Sequence, residues 1–218
     1  MLQRQELILL RHGQSTANAS GVWQGQLDFP LSDEGRRQAR LAGRALAGAP
    51  LDAFYASPLS RAYETAELVA REAGFTGGVV AEPGLVERAG GSLEGTTSEE
   101  RAARSPELTR KLASLPEEER WEIVGAETDE EVLRRFGEAI SGIRSRHGAG
   151  SRIVVVSHGG AMRAFLRDLL GPDVLPDSQR APNASITRLT WELDGSDPQL
   201  LDIAATDHLY RETGLAGE

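Results

Sequence analysis

Apolar residues recur along this chain with two periods, and the switches between them mark its elements. The run Leu7-Ile8-Leu9-Leu10 reads as a strand buried on both faces, and Ile153-Val154-Val155-Val156 has the same character far downstream. Ser32, followed by Asp33 and Glu34, predicts a helix N-cap with acids in the first turn. Ala39, Ala42, Gly43 and Leu46 then supply a stripe at helical spacing. Ala53-Phe54-Tyr55-Ala56 reads as a short strand. Ser57-Pro58 predicts an N-cap and a first-turn proline for the helix whose buried face is Ala66, Val69, Ala70 and Ala73. Val79 to Ala81 reads as a third strand.

The rhythm breaks from Gly95 to Gly125, where charge clusters, Pro106, Pro116 and scattered leucines predict a helical insertion outside the sheet. It resumes at Thr128-Asp129-Glu130-Glu131, a capping box ahead of Val132, Phe136, Ile140 and Ile143. The strand at Ile153–Val156 leads to a helix with Met162, Phe165, Leu166, Leu169 and Leu170 on one face. Strand-like runs around Ser185–Leu193 and Leu200–Ala204 follow. Gln14 to Pro30 reads as a polar, glycine-punctuated loop. Alternating strands and helices imply an α/β fold, a three-layer α/β/α sandwich around a mostly parallel sheet. The expectation is one domain over 1–218, with the insertion at about 95–125 lying over the active site.

Composition narrows the chemistry. The 218 residues contain no cysteine, which removes disulfides, thiolate metal sites and cysteine nucleophiles. A formal net charge of −9 argues against general nucleic-acid binding. It leaves room for a small phosphorylated substrate, because a few converging arginines can focus a local positive field. Met1 to Glu6 is polar and charged, and no apolar run approaches the length of a membrane span. A cytoplasmic protein without membrane partners is expected; the oligomeric state is not set by the sequence, and a homodimer is left open.

Both apolar runs end in a histidine and turn at glycine: Arg11-His12-Gly13 and Ser157-His158-Gly159-Gly160. Ligands bind outside the carboxyl ends of strands in open α/β sheets. A lone strand-end histidine is more often satisfied by backbone, but here the neighbours matter. Arg11 at the end of an apolar strand is costly unless it meets an anion. A neutral His12 attacks phosphorus well if a backbone carbonyl holds the proton of one ring nitrogen. His158 opens a helix whose N–H groups favour bound anions. Arg61, in a first helical turn, opposes its own helix dipole and would gain from a bound phosphate; Arg36, Arg37 and Arg71 read as solvated. Glu87, in a glycine-rich loop, is the candidate proton donor to a departing alkoxide, since a nearby phosphate would help a carboxyl keep its proton.

These segments together resemble the histidine phosphatase superfamily, in its phosphoglycerate mutase-like branch. The resemblance rests on Arg11-His12-Gly13 with Asn18, Trp23 to Asp28, Pro30 to Gly35 and Ser57 to Ala62. It continues at Glu87…Gly91…Glu94-Gly95, Ser157 to Gly160 and Asn183-Ala184-Ser185-Ile186. It implies that His12 becomes phosphorylated, that Arg11, Arg61 and His158 hold the phosphoryl oxygens, and that Glu87 protonates the leaving oxygen and then activates water. It further implies a neutral donor in Asn18, contacts from Gln24, Gly25 and Gly159, and a loop-ordering role for Glu94. It implies no metal and no cofactor. The chain departs from the family at Arg88-Ala89-Gly90, where relatives often carry an acidic or aromatic residue. His147, near a helix C-terminus, and His208 read as structural.

Three activities are compatible with this set. A phosphatase is preferred, acting on a phosphomonoester of a small metabolite. The Glu-Arg-His-Tyr run and the longer insertion with an Arg-Arg pair, usual in glycolytic mutases, are absent. A phosphoglycerate mutase is the alternative. A non-catalytic phospho-ligand sensor is the least favoured, because the whole reactive set is present.

Overall fold

In the computed structural model, which describes residues 4–175, 181–192 and 198–210, the two apolar runs are neighbouring strands. Strand β1 (Gln5–Arg11) is followed by a segment more ordered than the expected loop. It holds a one-turn helix, α1 (Thr16–Ala19), and a short strand, β2 (Val22–Trp23). Ser15 and Asn18 nucleate the turn by capping reciprocally: Ser15 Oγ accepts from the Asn18 N–H, and Asn18 Oδ1 accepts from the Ser15 N–H.

Helix α2 (Asp33–Leu46) begins where expected, with Ser32 Oγ accepting from the Gly35 N–H at 3.0 Å. Strand β3 (Ala53–Ala56) leads into α3 (Ser60–Ala73), whose start differs from the sequence expectation. Ser57 is not its N-cap. The helix begins three residues later, and Asp28 of the preceding segment accepts from both the N–H and the hydroxyl of Ser60, each at 2.8 Å. A carboxylate at that end also suits the helix dipole.

After β4 (Val79–Ala81) comes the insertion: β5 (Thr96–Thr97), α4 (Ser98–Arg104), α5 (Pro106–Ser114) and α6 (Glu117–Val124). It is tied back by antiparallel pairing of β2 with β5. A small apolar core forms there from Trp121, Val124 and Ala126 against Trp23, Leu93 and Leu112. Helix α7 (Asp129–Ser145) starts on the Thr128–Glu131 capping box, then β6 (Arg152–Ser157), α8 (Gly159–Leu170), β7 (Ile186–Trp191) and β8 (Gln199–Ala205) complete the described chain. Leu193, expected at the end of a strand, lies outside the described residues.

The main sheet has the order β4-β3-β6-β1-β7-β8. Its first four strands are parallel; β7 pairs antiparallel with β1, and β8 pairs antiparallel with β7. Strand alternation divides the core between the two helical layers. Leu7, Leu9, Ile153 and Val155 pack with Val132, Phe136, Ile140 and Ile143 of α7 and with Met162, Phe165 and Leu166 of α8. Ile8, Leu10, Val154 and Val156 pack with Ala39, Ala42 and Leu46 of α2 and with Ala62, Ala66 and Val69 of α3. The small residues on α2 and α3 let those helices lie close together: a Cβ at Gly43 would come within 2.7 Å of the Val69 carbonyl oxygen. Each large aliphatic side chain so buried is worth about 1.5–3 kcal/mol relative to exposure.

Candidate active site

Strand register decides which chain ends meet. Leu10 pairs with Val156, and Val156 with Ala56, so β1, β6 and β3 end level with one another. The His12 N–H donates to the Ser157 carbonyl at 2.9 Å, and the Ser57 N–H donates to the Val156 carbonyl at 3.0 Å. One residue further on, the rings of His12 and His158 lie 5.0 Å apart, centroid to centroid.

His12 is buried, and its Nδ1 lies 2.6 Å from the Gly13 carbonyl oxygen. That contact places the proton on Nδ1 and leaves the Nε2 lone pair free. Burial, with help from the charges of Arg11 and Arg61, holds His12 well below the ordinary imidazole range, so the ring is neutral at physiological pH. Gly13 itself is fixed by its N–H, which donates to Thr65 Oγ1 at 3.1 Å. A Cβ at Gly13 would fall 2.4 Å from the Gly35 carbonyl oxygen, so only glycine fits this turn.

His158 is fully buried and also neutral, chiefly through burial and then through the charge of Arg61. Its Nε2 lies 2.8 Å from Ser57 Oγ. Its Nδ1 has no partner among the described residues. Gly159 follows it closely enough to Arg11 that a Cβ would meet the Arg11 Nε at 3.2 Å.

Arg11 donates through Nη1 to the Ala181 carbonyl, and its guanidinium lines the cleft. Arg61 has no exposed surface at all. Nη1 and Nη2 donate to the carbonyls of Leu27 and Gly25, both at 2.8 Å, while Nε has no partner among the described residues. Burial lowers the pKa of Arg61, against the opposing charges of Glu87, Asp28 and Glu94. Arginine nonetheless stays charged.

Glu87 is half-buried and lines the cleft. Its carboxylate rests on the start of α8, accepting from Gly160 at 3.0 Å and Ala161 at 2.8 Å, and from the Arg88 N–H at 2.8 Å. The anion at this helix N-terminus is the protein's own Glu87 carboxylate, held on the N–H groups of Gly160 and Ala161.

Asn18, Gln24 and Gly25 line the same cleft as His12. Gln24 accepts from the Ser15 hydroxyl at 2.7 Å. Gly25, at φ +52, turns its carbonyl to Arg61, and a Cβ there would overlap Glu94 Oε1 at 1.9 Å. Glu94 Oε1 orders the loop by accepting from the N–H groups of Gln26 at 2.9 Å and Gly90 at 2.7 Å. His147 bonds Tyr55 at 3.0 Å, and His208 bonds the Ala184 carbonyl at 3.0 Å.

Sequence reasoning missed several contributors. Asn183 Nδ2 donates both to the His12 carbonyl and to Asn18 Oδ1, each at 3.1 Å. Arg135 forks onto the carbonyls of Gly84, Val86 and Glu87 and pairs with Glu127, bracing the Glu87 loop from behind. Arg88 lies 4.5 Å over the Trp121 ring and bonds Asp129 and the Glu127 carbonyl. Only the presence of Asn183 in the resembling Asn183–Ile186 segment hinted at any of these; the partners are too distant in sequence. The resulting cleft holds about 340 Å³ and is lined by Arg11, His12, Arg61 and Glu87 together with Trp23, Arg88 and Trp121.

The family model of the histidine phosphatase superfamily (branch 1) matches residues 7–204. Phosphoserine phosphatase 1 of Hydrogenobacter thermophilus is 36% identical over 169 residues, covering 78% of each chain. A probable phosphoglycerate mutase of Yersinia enterocolitica is 32% identical over 230 residues, covering 94% of this chain and 99% of its own. The solved structure of a mycobacterial glucosyl-3-phosphoglycerate phosphatase superimposes with a TM-score of 0.75 at 28% identity, covering 94% of this chain and all of that one.

Proposed function

Since the chain belongs to the histidine phosphatase superfamily, we propose that it hydrolyses a phosphomonoester of a small metabolite through a phosphohistidine on His12. One observation carries this reading: a buried, neutral His12 whose Nδ1 is engaged by the Gly13 carbonyl while the ring borders an arginine-lined cleft. The His12 Nε2 lone pair attacks phosphorus as the bond to the ester oxygen breaks. Glu87 gives a proton to that departing oxygen. Water then loses a proton to the Glu87 carboxylate and attacks the phosphohistidine, releasing inorganic phosphate and restoring the imidazole. Arg11 and Arg61 hold charge opposite the phosphoryl oxygens throughout, the role a metal ion plays in other phosphoryl-transfer enzymes. Asn18, Gln24, Gly25 and Gly159 position the group from the cleft walls.

Two similar proteins carry names for the hydrolysis of phosphorylated small metabolites, phosphoserine in one and glucosyl-3-phosphoglycerate in the other, which supports this substrate class. The acidic chain suits neither nucleic acid nor anionic membrane, and no helix among the described residues is long and apolar enough to cross a membrane. A cytoplasmic, single-domain enzyme is the corresponding expectation.

The similarity to a probable phosphoglycerate mutase keeps mutase activity as the second reading. A panel of phosphomonoesters scored by phosphate release tests the first. Adding 3-phosphoglycerate with a trace of 2,3-bisphosphoglycerate separates the two, because rapid 2-phosphoglycerate formation without phosphate release would replace phosphatase with mutase.

A further inference from the structure

Ser57 and His158 are both fully buried, and their contact joins positions 101 residues apart. Ser57 is not used as a helix cap, so its hydroxyl needs another explanation. Its oxygen accepts from the Leu59 N–H at 3.3 Å. Among the described residues its hydroxyl hydrogen has one acceptor within reach, His158 Nε2 at 2.8 Å. If the ring instead donated from Nε2, the buried hydroxyl hydrogen would be left without an acceptor, a cost proteins avoid. Hydrogen-bond accounting therefore assigns the bare lone pair of His158 to Nε2.

A neutral imidazole with a bare Nε2 carries its proton on Nδ1. That atom is buried and has no partner among the described residues, on a ring 5.0 Å from His12. The two histidines thus hold the same tautomer for opposite ends. His12 spends its Nδ1 proton on the Gly13 carbonyl and offers a bare nitrogen, whereas His158 spends its bare nitrogen on Ser57 and offers a proton.

We propose that Ser57 is a positioning residue that locks neutral His158 as the Nδ1–H tautomer, making it a hydrogen-bond donor to the phosphoryl group rather than an acceptor that would repel it. The proposal rests on the phosphatase reading for the identity of the group that is bound. The tautomer itself does not depend on turnover. A bare Nδ1 facing phosphoryl oxygen would set two lone pairs against each other, so the hydroxyl's choice of partner decides the sign of the interaction.

The test is nitrogen-15 NMR of the histidine-labelled full chain, with inorganic phosphate as the probe. The wild type should show both His12 and His158 protonated at Nδ1, with the His158 Nδ1–H signal moving on phosphate addition. In Ser57→Ala, His158 should shift towards the Nε2–H form. Phosphate should then bind more weakly and kcat fall by about a hundredfold or more, the scale of losing one oxyanion donor. Ser57→Thr, which keeps the hydroxyl, should restore both. A wild-type His158 protonated at Nε2 overturns the proposal, as does a Ser57→Ala protein with an unchanged tautomer, phosphate affinity and rate. Failure of the phosphatase reading would look different: the expected tautomers without phosphate release from any ester.

Discussion

Gly160 sits so close to Glu87 that a Cβ at position 160 would come within 2.6 Å of Glu87 Oε1, while its own N–H donates to Oε2 at 3.0 Å. Alanine ordinarily favours a helix over glycine by about 1 kcal/mol. Here it would push aside the end of a flexible side chain, so the fold should survive and the carboxylate should move. Gly160→Ala is expected to leave the melting temperature nearly unchanged while kcat falls by about tenfold or more. Thermal melts paired with phosphate-release rates check this; an unaltered rate would remove Glu87's position from the mechanism.

Glu87→Gln keeps the size of the side chain but cannot give up a proton as an acid. Hydrolysis of alkyl phosphates should slow by roughly 10²–10⁴-fold. Hydrolysis of p-nitrophenyl phosphate should suffer much less at the first step, because its leaving group departs without protonation. The ratio of kcat/KM for the two ester types is the readout, and equal losses on both would contradict the acid assignment.

His12→Ala removes the proposed attacking atom. Phosphate release should drop by about a thousandfold or more. Reactions with phosphorus-32-labelled ester, quenched in alkaline detergent, should show an alkali-stable, acid-labile phosphoenzyme in the wild type and none in the variant. Equal labelling of both would place the covalent step elsewhere.

The buried histidines also set a pH dependence. Their folded pKa values lie well below 6.5, whereas the unfolded chain takes up protons near that value. As pH falls through about 6.5, the unfolded state binds more protons than the folded one, so stability should decline from there towards the lowered folded values. Denaturant melts across pH 5–7 measure it against His158→Gln, in which the slope should be shallower. The acid limb of kcat/KM should likewise fall below the ordinary histidine range, because His12 stays unprotonated and nucleophilic there.

Arg135 lies outside the lining of the cleft yet holds three carbonyls of the Glu87 loop and a half-buried Glu127. Arg135→Ala should destabilise the protein by about 2–4 kcal/mol, mostly from polar groups left unpaired. It should lower kcat more than it raises KM, because it loosens the proton donor. Urea melts with steady-state kinetics separate the effects. Arg135→Lys, with no planar fork, should recover little of either.

Much of the architecture is legible in residue order. The valine and leucine runs of β1 and β6, the Ser32 and Thr128 caps and the apolar stripes of α2, α7 and α8 rest on interactions spanning a few residues, and local patterns report these well. The same local logic misplaced the start of α3. Ser57-Pro58 has the form of an N-cap, but the helix takes its cap from Asp28, 32 positions away. It also took Gln14 to Pro30 as loop, because the Ser15–Asn18 turn is too short to leave an apolar period.

The sequence by itself determined the types of the longer strands and helices, the strand-end histidines and the ordered set of motifs that identifies the superfamily. Tertiary structure alone decided how those groups meet. Strand order places β6 between β3 and β1, and register brings Ser57, His158 and His12 level. Folding also stands Glu87 on the first N–H groups of α8 and leaves the ring nitrogens of the two histidines differently engaged. The physical reason is one of range. Backbone propensity and periodicity act along a few residues of chain, and so does the Gly13 carbonyl that engages His12, whereas the hydroxyl that meets His158 Nε2 at 2.8 Å lies 101 residues away and arrives only with the completed sheet.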